Sequence, residues 1–262
     1  PLYYEIEDGN LYFGSELKPL MKRPGFQEEI RTDVLPRFLY QQYIAEPDTI
    51  FRNVYKLCPG EILSFCYGEV KTWKYWDIKK VYHEMQQQLV KDYAEAKQTL
   101  KELLKESVKK RMIADVPLGA FLSGGYDSSL MTAIAQEISG APVKTFTIGF
   151  PVERYNEAEY AKEVAEFLGT DHTELYIDEA QMFDLVSSIP VYYDEPFADS
   201  SQIATMLVSE LARKRVTVAL SGDGGDEFFC GYNVYDKVHQ AQQLDWLGGM
   251  THGICNIPGI CS

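Results

Sequence analysis

Strands and helices alternate between residues 116 and 222, and this alternation constrains the fold more than any other feature of the sequence. Short, almost continuously apolar runs such as VPLGAFL (116–122) and VKTFTIGF (143–150) each precede a stretch with apolar residues at helical spacing. Strands this apolar are typical of a parallel sheet that is covered by helices. The sequence therefore predicts an α/β fold, a parallel sheet with helices on both faces.

The individual elements follow from the same pattern. The predicted strands are 116–122, 143–150, 172–177 and 216–222, and the predicted helices between them are 128–138, 156–169 and 201–214. Asn156 and Glu159 have the spacing of a capping box, and Gly169 is placed to end that helix. Upstream, helical spacing from Tyr93 predicts a helix that ends before Pro117, with Glu106 and Lys110 as an ion pair one turn apart.

Residues 1–76 have a different pattern, in which apolar and polar side chains alternate between turn signals. They predict a small, mostly antiparallel β fragment with hairpin turns at EDGN (7–10) and CPGE (58–61). RTDVLPRFLYQQYI (31–44) predicts a short helix with Thr32 or Asp33 as its cap. The polar stretch 77–91 is interpreted as a linker to a second domain, 92–262.

Composition excludes several classes of protein. With 45% hydrophobic and 24% charged residues the chain is typical of a globular protein, and a formal charge of −14 argues against binding to nucleic acid. No apolar run is long enough to cross a membrane and no secretory signal is recognisable, so we expect a cytoplasmic protein. Its five cysteines form no C-x-x-C pair, which favours reduced, mostly buried thiols.

The segment LSGGYDSS (122–129) follows the first strand and opens a helix, and three interpretations compete for it: a surface turn, a nucleophile site and a cradle for phosphate. Ligands bind beyond the carboxyl ends of parallel strands, so the loops after Leu122, Phe150 and Leu220 are expected to face one crevice. The signatures G-x-S-x-G and G-x-x-x-x-G-K-[ST] are absent. Glycines and hydroxyls at a helix N-terminus favour phosphate binding.

These motifs resemble a known family. The pattern S-G-G-x-D-S after an apolar strand is similar to the PP-loop of ATP pyrophosphatases, which cleave ATP to AMP and pyrophosphate. Together with TFTIGF (145–150) and LSGDGGDEFFCGY (220–232), it resembles the synthetase domain of glutamine-hydrolysing asparagine synthetases, from about Asp92 to Tyr235. Residues 1–76 resemble the C-terminal part of that family's Ntn-type glutamine amidotransferase domain, through FGSELKPL (13–20) and YWD (75–77).

The resemblance implies a set of ligand contacts. It assigns adenosine to Leu122, Ile148, Ser221 and Gly222. It assigns the phosphates to Ser123, Gly124, Gly125, Asp127, Ser128 and Ser129. Asp127 and Asp226 would hold Mg²⁺, an ion that prefers oxygen ligands and binds through one or two carboxylates plus substrate phosphates. The alternative for Asp226 is a charge that stabilises a helix N-terminus.

The resemblance also implies a catalytic residue. Asp223 matches a glutamate of well-known family members that is important for the acyl-adenylate and its attack by ammonia, and its side chain is one methylene shorter. A carboxylate there could stabilise ammonium or accept a proton from the attacking amine. β-Lactam-forming relatives have a tyrosine at this position, which argues against that chemistry here.

Several other polar and aromatic residues could either serve the site or be structural. Asp194 and Glu195 either line the substrate side of the cleft or belong to a solvated acidic loop, and Ser200 or Ser201 is expected to cap the next helix. His172 is expected to be structural. The aromatics at helical spacing are expected to be core residues: Phe228, Phe229, Tyr232 and Tyr235.

The function that the resemblance implies is ATP-dependent synthesis of asparagine from aspartate and glutamine-derived ammonia, through a β-aspartyl-AMP intermediate. The alternatives are a related ligase for another carboxylate and a non-catalytic nucleotide-binding fragment. The family's amide-releasing nucleophile is an N-terminal cysteine, whereas Pro1 is first here and Cys58 is the first cysteine. With the resemblance ending after Tyr235, we expect this stretch alone to be inactive. The sequence sets no oligomeric state, and a homodimer is the form to test.

Overall fold

The computed structural model describes residues 2–151 and 156–245 of the chain. These residues form two units: the first contains residues 2–102 and 177–209, and the second contains residues 103–151, 156–176 and 210–245. The strands are β1 (Tyr3–Glu7), β2 (Asn10–Gly14), β3 (Val54–Lys56), β4 (Glu61–Cys66), β5 (Glu69–Lys74), β6 (Leu118–Phe121), β7 (Lys144–Gly149), β8 (Asp171–Tyr176) and β9 (Val218–Leu220). The helices are α1 (Leu17–Met21), α2 (Leu35–Gln41), α3 (Ile78–Met85), α4 (Tyr93–Arg111), α5 (Tyr126–Ile138), α6 (Ala158–Leu168), α7 (Glu179–Asp184), α8 (Ile189–Tyr192), α9 (Gln202–Arg213), α10 (Gly225–Phe229) and α11 (Asn233–Asp245).

The first unit contains the predicted antiparallel fragment. Its strands form a sheet of order β2-β1-β3 and a separate β4-β5 hairpin. The hairpin turn at EDGN is confirmed, since Asp8 and Gly9 have φ of 50° and 72° between β1 and β2. CPGE is also a turn, with the Glu61 N–H donating to the Cys58 carbonyl (3.1 Å). The prediction of a hairpin there is wrong, because β3 pairs with β1 whereas β4 pairs with β5.

The predicted short helix is present, but its cap is not. Thr32–Val34 is a single 3-10 turn, and α2 starts at Leu35 with Val34 at the N-cap position and no side-chain cap. The Asp33 carboxylate binds the Arg31 guanidinium instead (2.7 Å), which lowers the pKa of Asp33. The helix is held by its neighbours, because Val34 is buried in the core of this unit. That core consists of Tyr3, Leu17, Leu20, Val34, Ile44, Ile50, Phe51 and Val54.

The stretch 77–91 that was interpreted as a linker contains regular structure. Asp77 caps α3 by accepting from the N–H groups of Lys79 (2.9 Å) and Lys80 (3.3 Å), and Gln86–Gln88 form a 3-10 turn. A capped helix orders the chain here. The division into domains stays a prediction.

The second unit has a four-stranded parallel sheet of order β8-β7-β6-β9, and the predicted α/β class is confirmed. The chain runs outward from β6 to β7 and β8 and then returns to β9 on the other side of β6. The strand order therefore reverses at β6. In open parallel sheets, ligands bind beyond the carboxyl ends of the strands at such a point.

Two apolar clusters attach helices to this sheet. The first contains Val108 of α4, Ala120 of β6 and the α5 residues Ile134 and Ala135. The second joins Leu122 to α6 through Ala161 and Ala165. The surface ion pair predicted on α4 is confirmed, with Glu106 and Lys110 2.6 Å apart. Full burial of one large aliphatic side chain contributes about 1.5–3 kcal/mol. An exposed ion pair one helical turn apart contributes about 0.3–0.5 kcal/mol, so burial in the two clusters holds the helices more strongly than the surface ion pair does.

The sequence predicts the C-terminal end of α6 correctly but not its N-terminal cap. Gly169 ends the helix as predicted, in the left-handed conformation with φ of 69°. The predicted capping box is wrong, because α6 begins at Ala158 and its N-cap residue is Glu157. The carboxamide oxygen of Asn156 instead accepts from the N–H groups of Ala158 (3.3 Å) and Phe150 (3.4 Å), and this ties the helix entry to the end of β7.

His172 is structural, as expected, and lies at the amino end of β8, away from the edge where ligands bind. Its Nδ1 lies 2.8 Å from the Thr145 hydroxyl, and its buried Nε2 has no hydrogen-bond partner among the described residues. Burial lowers the pKa of His172 below 6.5, with Lys162 acting in the same direction and Glu174 opposing it.

We expect this lowered pKa to make the protein less stable in mild acid. Below pH 6.5 the unfolded chain takes up a proton that folded His172 resists, so the free energy of unfolding falls as pH falls, by up to about 1.4 kcal/mol per pH unit. Urea denaturation at several pH values checks this: His172→Gln should flatten the pH slope, and His83→Gln, an exposed control on α3, should keep it. An unchanged slope in His172→Gln would contradict this role for burial.

The described cysteines are more exposed than the sequence predicts. Cys66 and Cys230 are exposed free thiols and Cys58 is half-buried, so the expectation of mostly buried thiols is wrong for the cysteines that the structure describes.

Within residues 2–151 and 156–245, no helix has both the length and the apolar character needed to cross a membrane.

Candidate functional site

Two loops meet at the carboxyl edge of the parallel sheet. The β6–α5 loop (residues 122–125) leads from β6 into α5, and the β9–α10 loop (residues 221–224) leads from β9 into α10. They follow neighbouring strands, since Ala120 pairs with Leu220. Together they carry most of the residues predicted to contact nucleotide or metal.

Two glycines let the chain after β9 approach the first turn of α5 closely. A Cβ atom on Gly222 would lie 2.8 Å from the Ser128 backbone nitrogen, and one on Gly225 would lie 2.2 Å from Asp127 Oδ2. Real Cβ atoms do not approach so closely, so any larger residue at either position would force a shift. The β9–α10 loop is therefore packed against the first turn of α5, where the Asp127 carboxylate lies.

The β6–α5 loop is shaped by one glycine and two serines. Gly124 has φ of 82°, and a Cβ there would lie 2.7 Å from the Ala161 nitrogen, so the loop needs glycine for both backbone conformation and space. The hydroxyls of Ser123 and Ser128 lie 2.9 Å apart, and the Ser123 N–H donates to the Ser128 hydroxyl (3.2 Å). The loop is thus held in shape by its own hydroxyls.

The N-terminus of α5 offers free donors beside this loop. The first internal backbone bond runs from the Ser129 N–H to the Gly125 carbonyl (3.0 Å), and the N–H groups of Tyr126, Asp127 and Ser128 find no acceptor among the described residues. The Ser129 hydroxyl is buried and also lacks a partner among them. Free N–H groups at a helix N-terminus attract anions, because they carry the positive end of the helix dipole.

Three carboxylates belong to the elements that follow β6 and β9, although the described residues contain no group of three or more such side chains close enough together to hold a metal ion. Asp223 accepts from the Ser221 hydroxyl (2.9 Å), Asp127 lies against Gly225, and Asp226 Oδ1 lies against Gly231. In the described part of the chain, no lysine or arginine forms an ion pair or hydrogen bond with any of them. Carboxylates without cationic partners fit a divalent cation, and Mg²⁺ needs only one or two of them when phosphates complete its ligands.

The remaining residues predicted to contact the nucleotide differ in how exposed they are. Ser221 is exposed, Gly222 and Gly125 lie in the two loops, and Ile148 is half-buried on β7. Leu122 is 1% exposed and packs inward. Its N–H donates to the Phe146 carbonyl (3.0 Å) and its carbonyl accepts from the Thr147 hydroxyl, so both of its backbone groups have protein partners. The roles of these residues toward adenosine stay predictions.

The aromatic residues in α10 and in the stretch that follows it are not core residues. Phe228 and Phe229 are 73% and 53% exposed, and Tyr232 is also exposed. Tyr235 is half-buried and lies against Tyr232, with 5.9 Å between the ring centres. The Tyr232 hydroxyl donates to Glu227 (2.8 Å), which raises the pKa of Tyr232 to about 12. The expected helical spacing is wrong here, because Phe228 and Phe229 lie in α10 whereas Tyr235 lies in α11, and the chain leaves the helical conformation at Cys230 between them.

Asp194 and Glu195 fit neither of the interpretations offered for them. Their side chains are 9% exposed, so these two carboxylates are not solvated although residues 196–201 are exposed, and both are bound to cations in residues 1–76. Lys18 pairs with Asp194 (2.5 Å) and Lys56 with Glu195 (2.6 Å). Sequence reasoning missed both lysines, because no local pattern links residues so far apart in the chain. Ser201 occupies the expected cap position, since it directly precedes α9 and its carbonyl accepts from the Thr205 N–H (2.9 Å), while the Asp199 carboxylate accepts from the Ser201 N–H (2.7 Å).

The parallel sheet and the donor-rich, glycine-shaped loops at its carboxyl edge define an α/β protein with a candidate anion and cation site. Comparison with known proteins agrees with that class. Residues 99–256 match the family described as asparagine synthase, and residues 1–76 match the glutamine amidotransferase domain. The chain belongs to the asparagine synthase family. The match continues to residue 256, beyond the expected end near Tyr235.

Curated relatives are similar over most of this chain. A Methanocaldococcus jannaschii protein, provisionally named asparagine synthetase (glutamine-hydrolysing) 2, is 38% identical over 240 residues, 88% of this chain and 45% of the relative. Asparagine synthetase (glutamine-hydrolysing) 1 of Bacillus subtilis is 36% identical over 238 residues, 90% of this chain and 36% of the relative. The chain therefore spans less than half the length of these relatives.

Among solved structures, an NH3-dependent NAD synthetase from Campylobacter jejuni overlaps 54% of this chain and 61% of its own at 13% identity. The TM-score of that overlap is 0.37. An overlap of that quality adds nothing to the family assignment, which rests on the sequence matches.

Proposed function

We propose that the protein to which this chain belongs makes asparagine from aspartate, ATP and ammonia released from glutamine. ATP activates the β-carboxyl group of aspartate as an acyl-adenylate with release of pyrophosphate, and ammonia then displaces AMP. In this proposal residues 1–76 are the C-terminal part of the amidotransferase domain, 77–91 connect the domains, and 92–262 belong to the synthetase domain. The substrates are small molecules, and a homodimer is the assembly to test.

One observation carries the proposal: the close packing of the β9–α10 loop on the first turn of α5. It places the Asp127 carboxylate, which has no cationic partner among the described residues, beside free helix N–H groups. A triphosphate and a divalent cation together would satisfy both halves of this arrangement, because anions seek the N–H groups and the cation needs carboxylate oxygens. The sequence similarity to glutamine-hydrolysing asparagine synthetases supports the choice of reaction.

The residues of this chain then have distinct roles. The N–H groups and hydroxyls of the stretch 123–129 bind the phosphates, while Leu122, Ile148, Ser221 and Gly222 border the adenosine. Asp127 and Asp226 would hold Mg²⁺, which when bound neutralises the charge of the departing pyrophosphate. A carboxylate is a poor electrophile, so the phosphate site helps chiefly by stabilising the leaving group and thereby making activation of aspartate feasible.

Asp223 is proposed to assist the attack of ammonia. Its carboxylate accepts a hydrogen bond from the Ser221 hydroxyl (2.9 Å), which fixes its orientation in the β9–α10 loop. From there it would stabilise ammonium or accept a proton from the amine as the new carbon–nitrogen bond forms.

Assays of the full-length protein for ATP–pyrophosphate exchange and for asparagine, with and without aspartate, test this function. We expect exchange that requires aspartate and Mg²⁺, and asparagine formation with either glutamine or ammonia. Exchange that requires a different carboxylate would replace aspartate as the substrate and point to a related ligase. Nucleotide binding without exchange for any carboxylate would contradict the proposed reaction and favour a binding role.

A further inference from the structure

The consecutive residues Asp194 and Glu195 form an unusually well-satisfied contact inside the first unit, which we call the acidic latch. Asp194 accepts from the backbone N–H of Leu17 (2.7 Å) and from the Lys18 ammonium (2.5 Å). Glu195 accepts from the backbone N–H of Ile50 (2.7 Å) and from the Lys56 ammonium (2.6 Å). Each carboxylate thus binds one backbone amide and one cation.

The ion pair between Glu195 and Lys56 in the acidic latch is buried. The side chains of Glu195 and Lys56 are 9% and 7% exposed, and the Lys56 ammonium also donates to the Ile44 carbonyl (2.5 Å). The Tyr3 hydroxyl points at the same carboxylate (3.4 Å), and burial together with the charge of Glu195 raises the pKa of Tyr3. A buried charge that loses its partner is costly, so the latch has little tolerance for partial opening.

The latch joins two parts of the chain that match different families. Its carboxylates lie within residues 99–256, which match asparagine synthase, whereas its cations and amides lie within residues 1–76, which match the amidotransferase domain. A backbone bond from the Ala198 N–H to the Gln42 carbonyl (2.9 Å) extends the same contact. Residues 177–209 therefore belong to the same unit as the amidotransferase-like part.

The latch lies in the segment of the chain that connects β8 to β9. Upstream it comes from the carboxyl end of β8, and downstream it forms α9, which leads into β9 and then into the β9–α10 loop with Asp223. The segment that is bound to residues 1–76 is therefore the one that continues through α9 and β9 into the loop with Asp223.

We propose that Asp194 and Glu195 are positioning residues that couple the amidotransferase part to the synthetase site. This inference rests on the proposed function, because it concerns use of glutamine as the nitrogen source. With the latch closed, ammonia from glutamine is used efficiently. With it open, the synthetase site still accepts ammonia supplied in solution.

The test compares the two nitrogen sources in the full-length protein. Glu195→Gln keeps the size of the side chain but leaves Lys56 without a counter-charge, and we expect glutamine-dependent asparagine formation to fall by about tenfold or more. Ammonia-dependent formation should stay within about twofold of the unmodified protein. The double variant Glu195→Gln/Lys56→Met removes both charges and should recover most of the lost rate. Glu179→Gln, an exposed acid on α7 in the same segment, is the matched control.

Hydrogen exchange gives a readout independent of activity. The Ile50 N–H should exchange faster in Glu195→Ala, and the Leu17 N–H in Asp194→Ala, while neither changes in Glu179→Gln. Equal loss with both nitrogen sources would reduce the latch to a structural contact, and no loss with either would remove it from coupling altogether; both results overturn the inference. An unmodified protein that makes asparagine from neither source would instead overturn the proposed function, and the coupling with it.

Discussion

Replacing Asp127 with alanine in the full-length protein is expected to lower aspartate-dependent pyrophosphate release by about 10²-fold to 10³-fold. Asp127 lies in the first turn of α5, its carboxylate packs against Gly225, and no cation among the described residues balances its charge. Its removal would deprive the site of one of two proposed oxygen ligands for Mg²⁺, and thereby of charge neutralisation on the departing pyrophosphate. Initial rates at saturating ATP and aspartate measure the effect.

The control for this variant is Asp115→Ala. Asp115 is exposed and precedes β6, so it lies at the opposite end of the same strand, away from the candidate site. Its replacement should leave the rate within about twofold. Since Asp127 is partly exposed at a helix start, both variants should fold, which circular dichroism can verify. An unchanged rate in Asp127→Ala would refute its proposed role.

The second large effect is expected from the smallest substitution, Gly222→Ala. The new Cβ would lie 2.8 Å from the Ser128 nitrogen and 3.1 Å from the Asp127 carbonyl carbon, and backbone atoms cannot rotate away as a side chain can. The β9–α10 loop and the first turn of α5 must separate, and a displacement of about 1 Å within a reacting geometry costs about 10²-fold in rate. We therefore expect kcat/KM for ATP to fall by about 10²-fold, with a loss of about 1–3 kcal/mol in stability from overpacking.

Gly140→Ala provides the matched control for that substitution. A Cβ at Gly140 would have no neighbour within 4 Å, and the residue lies in the turn between α5 and β7. This variant should retain full activity and unchanged or slightly increased stability. If Gly222→Ala retained full kcat/KM for ATP, the close packing of the β9–α10 loop on the first turn of α5 would be irrelevant to nucleotide use.

Local features of the sequence predicted much of the fold. The β1–β2 hairpin, the Gly169 helix end and the order of strands and helices in the second unit all follow from residues that are neighbours in the chain. Turn chemistry and apolar periodicity act over a few residues, so they can be read without knowing the partners. The candidate site benefited from the same property, because strand ends with glycines and hydroxyls lie at one edge of a parallel sheet.

Features that depend on distant partners could not be predicted. The acids of the latch find Leu17 and Ile50 at sequence separations of 177 and 145 residues, and no local pattern distinguishes them from a solvated acidic loop. Gly225 was not singled out, although the glycine pair in SGDGGDE was visible, because its purpose is the approach of Asp127 from another element. The exposure of Phe228 likewise depends on what packs there, which its helical spacing does not specify.

The central claim is that the β6–α5 loop and the first turn of α5 bind the phosphates of ATP, with a divalent ion between them and the acids of the site. A crystal structure of the full-length protein with Mg²⁺ and a non-hydrolysable ATP analogue tests it most directly. We predict phosphate oxygens within hydrogen-bonding distance of the N–H groups in 123–129 and Mg²⁺ bound by Asp127 and Asp226. A nucleotide bound elsewhere, or Asp127 and Asp226 turned away from the metal, would contradict it.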